Sequence, residues 1–231
     1  MTPPGSEPIG LGEALQRPQR SLLADDVYEI LKDALLRHQI APGSRLNLDA
    51  LARELHVSNT PVRQALGRLE ADGLVTKEPF RGFAASQLLD SRTITELYDF
   101  RLMLEPTLAA RAASRHTTAN LAELDHLCAT DEIAALTAEA ERAGSIGARD
   151  VTFHCAVARQ AGNSVAEENV KATLNRMLLY SLYDRRAAAD LAWTEHRAVV
   201  SAIRVGDPEG AANAMRTHLA NGLDRFRTAF T

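Results

Sequence analysis

Three histidines and one aspartate in the second half of the chain have the residue types and spacing of a metal site. Asp150 and His154 stand four residues apart and therefore share one face of a helix. His196 and His218 each recur at helical spacing with apolar residues, so all three imidazoles are expected to point into a helical domain. Burying three imidazoles and a carboxylate is unfavourable unless they satisfy one another or hold a cation. A divalent metal would satisfy them, and imidazole-rich sites suit zinc, nickel, copper or iron.

The same residues allow other interpretations, and the sequence leaves them open. A single histidine on an apolar helix face is usually a hydrogen-bonded core residue. A bound metal could be purely structural, be the signal itself, or activate water in a metal-dependent hydrolase. A hydrolase needs a general base, and Glu195, beside His196, is expected to face away from it by one helical position. Cys155, beside His154, is predicted to be a packing residue for the same reason.

A second group of residues, nearer the N-terminus, has the chemistry of DNA recognition. Asn59 and Arg63 are spaced i, i+4 near the start of a predicted helix whose opposite face is apolar. Arginine forks onto guanine and asparagine pairs bidentately with adenine, and each such pair contributes about 1–3 kcal/mol of discrimination. Thr60, Gln64 and Arg68 extend the same polar face and suit phosphates or neighbouring bases.

The segment after this helix adds a second predicted DNA contact. Arg81 and Gly82 lie between two short extended pieces and place a cation beside a backbone that can approach closely, which suits the minor groove. The alternative is a three-helix cluster whose charged face meets only solvent. The net charge of −4 excludes a protein that coats nucleic acid through bulk positive charge. Any DNA contact must therefore come from a local patch.

Hydrophobic periodicity predicts the elements that position these groups. Residues 1–19 are rich in Pro and Gly and are predicted to be a disordered arm. Residues 20–86 predict three helices and a β-hairpin, which together form a winged helix-turn-helix. After a linker at 87–92, residues 93–231 predict an all-α bundle of six or seven helices, the first of which Pro106 is expected to kink. The predicted fold class is therefore mainly α.

The remaining composition favours a protein that stays where it is made. No apolar run approaches the roughly 20 residues of a membrane helix, and the N-terminus lacks the pattern of a secretory signal. We therefore expect a cytoplasmic protein without membrane association. Cys128 and Cys155 are too few for a disulfide framework and are expected to be buried thiols.

The predicted DNA-reading segment also resembles a known family. The run LARELHVSNTPVRQALGRLE at residues 51–70, with APGSRL before it and GLV after it, resembles the DNA-binding domain of GntR-family regulators over about residues 21–85. Asn59 stands where that family usually has Arg, Gln64 where it has Glu, and His56 where it has Gly in the turn. Histidine tolerates a positive φ better than most residues, so the turn can survive. The resemblance implies that Ser58, Thr60, Arg63 and Gly82 contact DNA. The full set of predicted DNA contacts is Arg45, Ser58, Asn59, Thr60, Arg63, Gln64, Arg68, Arg81 and Gly82.

The second domain is similar to the FCD ligand-binding domain of the FadR subfamily over most of residues 93–225. The pattern Asp150-x-x-Phe153-His154, followed by His196 and His218, fills all four metal positions of that family. The similarity implies a divalent metal, zinc or nickel, whose remaining coordination positions accept water or a small carboxylate. Arg101 matches the family's Arg-x-x-x-Glu stretch and is the candidate clamp for an effector carboxylate. The alternative is that Arg101 pairs with Glu105 at i+4.

Taken together, these patterns predict a transcription factor rather than an enzyme. It would be a homodimeric repressor whose two recognition helices meet two half-sites of a double-stranded operator. A small organic acid would change operator affinity by repositioning the DNA-binding domains through the linker at 87–92.

Overall fold

The computed structural model describes residues 20–129, 139–179 and 186–229. The predicted arm at residues 1–19 lies outside the described residues. Over the described ranges the chain forms nine helices and one small sheet, so the predicted mainly α fold class is confirmed. None of the described helices combines the length and apolarity needed to cross a membrane.

The N-terminal unit is a winged helix-turn-helix. Its helices are α1 (Arg20–Leu36), α2 (Leu48–Glu54) and α3 (Asn59–Ala71), and its strands are β1 (Arg45–Leu46), β2 (Val75–Glu78) and β3 (Gly82–Ala85). The strands are antiparallel in the order β1-β3-β2, and β2 and β3 form the wing.

Helix α3 is positioned by its apolar face, as the periodicity predicted. Val62, Leu66 and Leu69 on that face are fully buried, while the opposite face is exposed. The turn between α2 and α3 passes through His56 with φ 54°, in the left-handed region that histidine was expected to tolerate. The polar face of the recognition helix is therefore held towards solvent.

The C-terminal unit contains six described helices. They are α4 (Ser91–Ala113), α5 (Thr118–Cys128), α6 (Glu139–Gln160), α7 (Ser164–Met177), α8 (Arg186–Arg204) and α9 (Pro208–Ala229). Helix α4 continues through Pro106 as one helix. It begins at Ser91, where Asp90 accepts a hydrogen bond from the Thr93 amide, so the last two residues of the predicted linker are already helical.

Two clusters of buried apolar side chains hold the molecule together. One lies inside the C-terminal unit and includes Phe153, Val199 and Met215. The other is shared, because it joins residues of α1 and α3 to residues of α6 and α7. Cys155 belongs to this shared core, so the predicted packing role is confirmed, and both cysteines are buried free thiols.

Candidate metal centre and DNA-reading surface

The four predicted metal ligands meet inside the C-terminal unit. Helix α6 contributes Asp150 and His154, α8 contributes His196, and α9 contributes His218. Each offers one ligand atom, and these atoms all lie within 4.8 Å of one another. The convergence that the sequence left open is therefore present in the structure.

The shortest distances in this cluster join nitrogen Nε2 atoms. Nε2 of His218 lies 3.2 Å from Nε2 of His154 and 3.2 Å from Nε2 of His196. Oδ1 of Asp150 lies 3.3 Å from Nε2 of His196 and 3.7 Å from Nε2 of His154. Three imidazole nitrogens and one carboxylate oxygen thus face a common centre.

Two glutamates behind the histidines determine which ring nitrogen faces the centre. Nδ1 of His218 lies 2.9 Å from Oε2 of Glu195 and donates a hydrogen bond to it. Nδ1 of His154 lies 2.5 Å from Oε2 of Glu105, although the contact is poorly aligned for a hydrogen bond. Each glutamate favours a proton on Nδ1, so Nε2 of His154 and of His218 present lone pairs to each other. Such an arrangement is repulsive unless a proton or a metal cation lies between them.

Aromatic packing fixes the third imidazole. The His196 ring stacks on Phe153 with centroids 4.0 Å apart and meets the edge of Trp193 at 4.8 Å. His196 is fully buried. These contacts leave its ring little freedom to rotate away from the centre.

The electrostatics of the cluster favour ligand-competent protonation states for three of the four residues. Burial alone would raise the pKa of Asp150, but His154, His196 and His218 outweigh it and lower that pKa. Burial lowers the pKa of His196 well below its usual value, and burial also lowers the pKa of His218 despite Glu195. His154 differs, because Glu105 outweighs its burial and raises its pKa. An ionised carboxylate and neutral imidazoles are the forms that bind metal.

Arg101 forms the ion pair that was the alternative to an effector clamp. Its Nε lies 2.5 Å from Oε1 of Glu105, and both side chains are buried. Arg101 lowers the pKa of Glu105 to about 2, against the effect of burial. The second guanidinium nitrogen, Nη2, lies 3.2 Å from Nε2 of His154. Arg101 therefore borders the metal centre while it holds the glutamate that orients His154.

Glu195 has a role that the sequence did not suggest. It does face away from the centre, but its carboxylate contacts His218 and accepts hydrogen bonds from Arg225 and Asn221. Burial would raise its pKa, yet His218 and Arg225 lower that pKa to about 2. Sequence reasoning missed this orienting role, because Glu195 acts on a ligand of a different helix.

All nine predicted DNA contacts lie on the exposed surface of the N-terminal unit. Ser58 is the N-cap residue of α3 and forms no side-chain capping bond, so its hydroxyl is available to a ligand. Asn59 donates a hydrogen bond to Oδ1 of Asp49 at 2.7 Å. Arg68 pairs with Asp25 and lies over the ring of Tyr28. In this structure Arg68 is thus engaged by α1, and its phosphate contact stays a prediction.

The wing tip contains an exposed aromatic residue that sequence reasoning did not single out. Phe80 is 110% exposed and has a φ of 63°, next to Arg81 and Gly82. Arg81 lies 3.8 Å from the carboxylate of Glu78. Gly82 has a φ of 84° with nothing near the position of a Cβ, so the backbone there is open to a ligand.

Comparison with known proteins identifies both units. Residues 23–84 match the bacterial regulatory proteins of the gntR family, and residues 96–221 match the FCD domain family. The chain is a GntR-family regulator with an FCD domain. The FCD match spans α4 to α9 and includes all four residues of the candidate metal centre.

Relatives of this regulator agree with that assignment. The chain is 28% identical over 192 residues to the Nta operon transcriptional regulator of Aminobacter aminovorans. This alignment covers 82% of the chain and 87% of the relative. The chain is 27% identical over 196 residues to the HTH-type transcriptional repressor RspR of Escherichia coli (strain K12), covering 84% of each. A crystal structure of a GntR transcriptional regulator from Rhodococcus sp. RHA1 superposes with a TM-score of 0.69 at 26% identity, over 90% of this chain and 99% of that one. The protein is therefore a DNA-binding transcriptional regulator and not an enzyme.

Proposed function

We propose that this regulator is a repressor whose FCD domain binds one divalent metal, zinc or nickel, and through it a small carboxylate effector. The ligands are Asp150, His154, His196 and His218. One observation carries the proposal: Nε2 of His154 and Nε2 of His218 lie 3.2 Å apart while their Nδ1 atoms face glutamates. Two opposed lone pairs at that distance need a positive charge between them, and a metal supplies it to all four residues at once, whereas a shared proton would serve only one pair.

The distances in the cluster fit a metal of this class. Metal–nitrogen bonds of about 2.0–2.1 Å place neighbouring ligand atoms roughly 2.9 Å apart at about 90° and roughly 3.3 Å apart at the tetrahedral angle. Four of the six separations, 3.2, 3.2, 3.3 and 3.7 Å, lie close to that range, and all six are within 4.8 Å. A nitrogen-rich donor set also excludes calcium and magnesium as preferred ions, since both favour oxygen ligands.

The effector is expected to approach beside Asp150. Its side chain is 30% exposed, whereas the side chains of His154 and His196 are fully buried, so the centre opens on the aspartate side. When bound, the metal would supply a positive charge with coordination positions for a carboxylate oxygen. Arg101, at the border of the centre, would give a second positive group for the same carboxylate.

The DNA-reading half of the proposal uses the exposed face of α3 and the wing. Arg63 and Asn59 would read bases in the major groove, while Arg81 and Gly82 would enter the minor groove. Arg45, Ser58, Thr60, Gln64 and Arg68 would contact phosphates or neighbouring bases. The relative RspR is named a repressor, and that name supports repression as the outcome here. A homodimer in the cytoplasm would match its two recognition helices to the two half-sites of an operator.

Two measurements test the metal half of the proposal: the metal content of the purified protein and the fluorescence of Trp193, the chain's sole tryptophan. Zinc added to the chelator-treated protein is expected to change Trp193 emission, because the indole contacts the His196 ring. His218→Ala should abolish the change and the bound metal. His126→Ala, which removes an exposed histidine of α5, is the matched control and should behave as wild type. Wild-type protein that takes up no zinc would refute the metal half.

The regulatory half is tested on a duplex selected from a random-sequence pool. Arg63→Ala is expected to cost about 1–3 kcal/mol of binding free energy, while Arg216→Ala on α9 should have no effect. Gel shifts of the zinc-loaded protein with and without small carboxylic acids then test the effector. Metal that raises the melting temperature without any change in DNA affinity would indicate a purely structural ion.

A further inference from the structure

The C-terminal end of the recognition helix is hydrogen-bonded directly to the FCD domain. Asp72 caps α3, and its carboxylate has two donors on two different elements. The hydroxyl of Tyr28, on α1, donates to Oδ2 at 2.5 Å, and Nδ2 of Asn175, on α7, donates to Oδ1 at 3.2 Å. Asn175 is buried, with 6% exposure. One carboxylate thus joins the recognition helix, the first helix and the ligand-binding domain.

Gly73, the residue after Asp72, also lies against the FCD domain. Gly73 has a φ of 77°, and a Cβ there would lie 3.0 Å from Cγ of Arg176. Its carbonyl accepts a hydrogen bond from Ser86 at 2.7 Å, so the start of the connector is fixed to the same turn. A second polar contact between the units joins Nε2 of His38 to the carbonyl oxygen of Leu179 at 2.8 Å.

Helix α7 also shares a buried core with α6, the helix that carries two of the proposed metal ligands. Val151 and Cys155 of α6 share this buried core with Leu174 of α7 and with Leu178, its C-cap residue. Each of these α6 residues is the next neighbour of a metal ligand, Asp150 or His154. A rotation of α6 that accompanies occupancy of the centre must therefore change its packing on α7, because close-packed interiors transmit small shifts.

We propose that Asp72 is a positioning residue that couples the metal centre to the recognition helix through Asn175. This inference rests on the metal site proposed above and specifies how its occupancy reaches the DNA. Helix α3 is a single rod of 13 residues, so a displacement of its capped end alters the placement of Arg63 in the groove. The hydrogen bond to Asn175, rather than the connector alone, would carry the signal.

Hydrogen–deuterium exchange on the full chain tests this coupling without knowledge of operator or effector. The probe is Zn²⁺ added to chelator-treated protein, followed in peptides from residues 148–158 and 66–76. In wild type, zinc is expected to slow exchange in both peptides, by about five-fold or more. In Asn175→Ala it should slow only the 148–158 peptide. Asn169→Ala is the matched control, because it removes an exposed asparagine of α7 that bonds only a carbonyl of its own helix, and it should retain both effects.

Each outcome decides the matter. Zinc protection that reaches residues 66–76 unchanged in Asn175→Ala, or that never reaches them in wild type, overturns the coupling while leaving the metal site intact. Absence of protection at 148–158 in wild type would instead refute the metal site, and the coupling with it. Asn175→Leu, which fills the same space without a donor, repeats the test if Asn175→Ala does not fold. It should lose the distant protection in the same way.

Discussion

Two glutamates behind the metal centre orient two of its three histidines. Glu105 and Glu195 each lie against Nδ1 of one histidine and leave its Nε2 for a metal. The ligands themselves could be predicted, because i, i+4 spacing and apolar faces are visible along the sequence. Their outer partners could not be predicted, since Glu105 meets His154 and Glu195 meets His218 only after different helices pack.

Replacement of Glu195 tests this orienting role. Glu195→Gln keeps the shape of the side chain but removes the charge that holds Nδ1 of His218 and pairs with Arg225. Outer-shell substitutions of this kind typically weaken metal binding by about 10–100-fold. Isothermal titration with zinc measures the change, and Glu209→Gln in the exposed first turn of α9 is the control. An unaltered zinc affinity in Glu195→Gln would contradict the role.

At the scale of elements, one glycine lies within α3 and another follows it, and only the second has a backbone conformation that favours glycine. Gly67 lies on the exposed face of the helix with nothing near the position of a Cβ. Gly73 follows the helix with a φ of 77° and lies against Arg176 of α7. Only Gly73 therefore needs to be glycine for the fold.

Matched Gly→Ala substitutions are expected to change stability in opposite directions. Gly67→Ala should increase the free energy of unfolding by up to about 1 kcal/mol, because alanine is the better helix former. Gly73→Ala should decrease it by about 1–2 kcal/mol through backbone strain and the Arg176 contact. Urea unfolding of the two variants against wild type checks both signs. A Gly73→Ala protein as stable as wild type would show that the turn can relax.

The elements themselves were largely predictable, whereas their mutual contacts were not. Amphipathic spacing located α2, α3 and the wing, and the left-handed turn at His56 was anticipated. Arg68 illustrates the limit: its exposed position predicted a phosphate contact, but Asp25 and Tyr28 of α1 engage it. The contact between Asp72 and Asn175 joins residues 103 positions apart, and no local pattern indicates such a pair.

At the scale of the whole molecule, the two units share one apolar core. Leu31 and Leu35 of α1 belong to the same buried cluster as Leu174 of α7 and its C-cap residue Leu178. Units joined in this way lose packing on both sides when either one opens. The regulator is therefore expected to unfold as a single cooperative body.

Equilibrium unfolding in urea checks this expectation. Trp193 fluorescence reports only on the FCD domain, whereas far-UV circular dichroism reports on the helices of both units. The two curves should coincide with one midpoint, as two-state unfolding requires. An early loss of helix signal before any change in Trp193 emission would show that the N-terminal unit opens independently.

The shared core also restricts how the protein can be rebuilt. Transplanting residues 20–86 onto another sensor would separate Leu31 and Leu35 from the part of the shared core that Leu174 and Leu178 supply. Uncovered leucines promote aggregation. A working chimera would have to bring a substitute for α7 with it, or replace those leucines by polar residues. In this regulator a cut in the connector therefore divides the shared core.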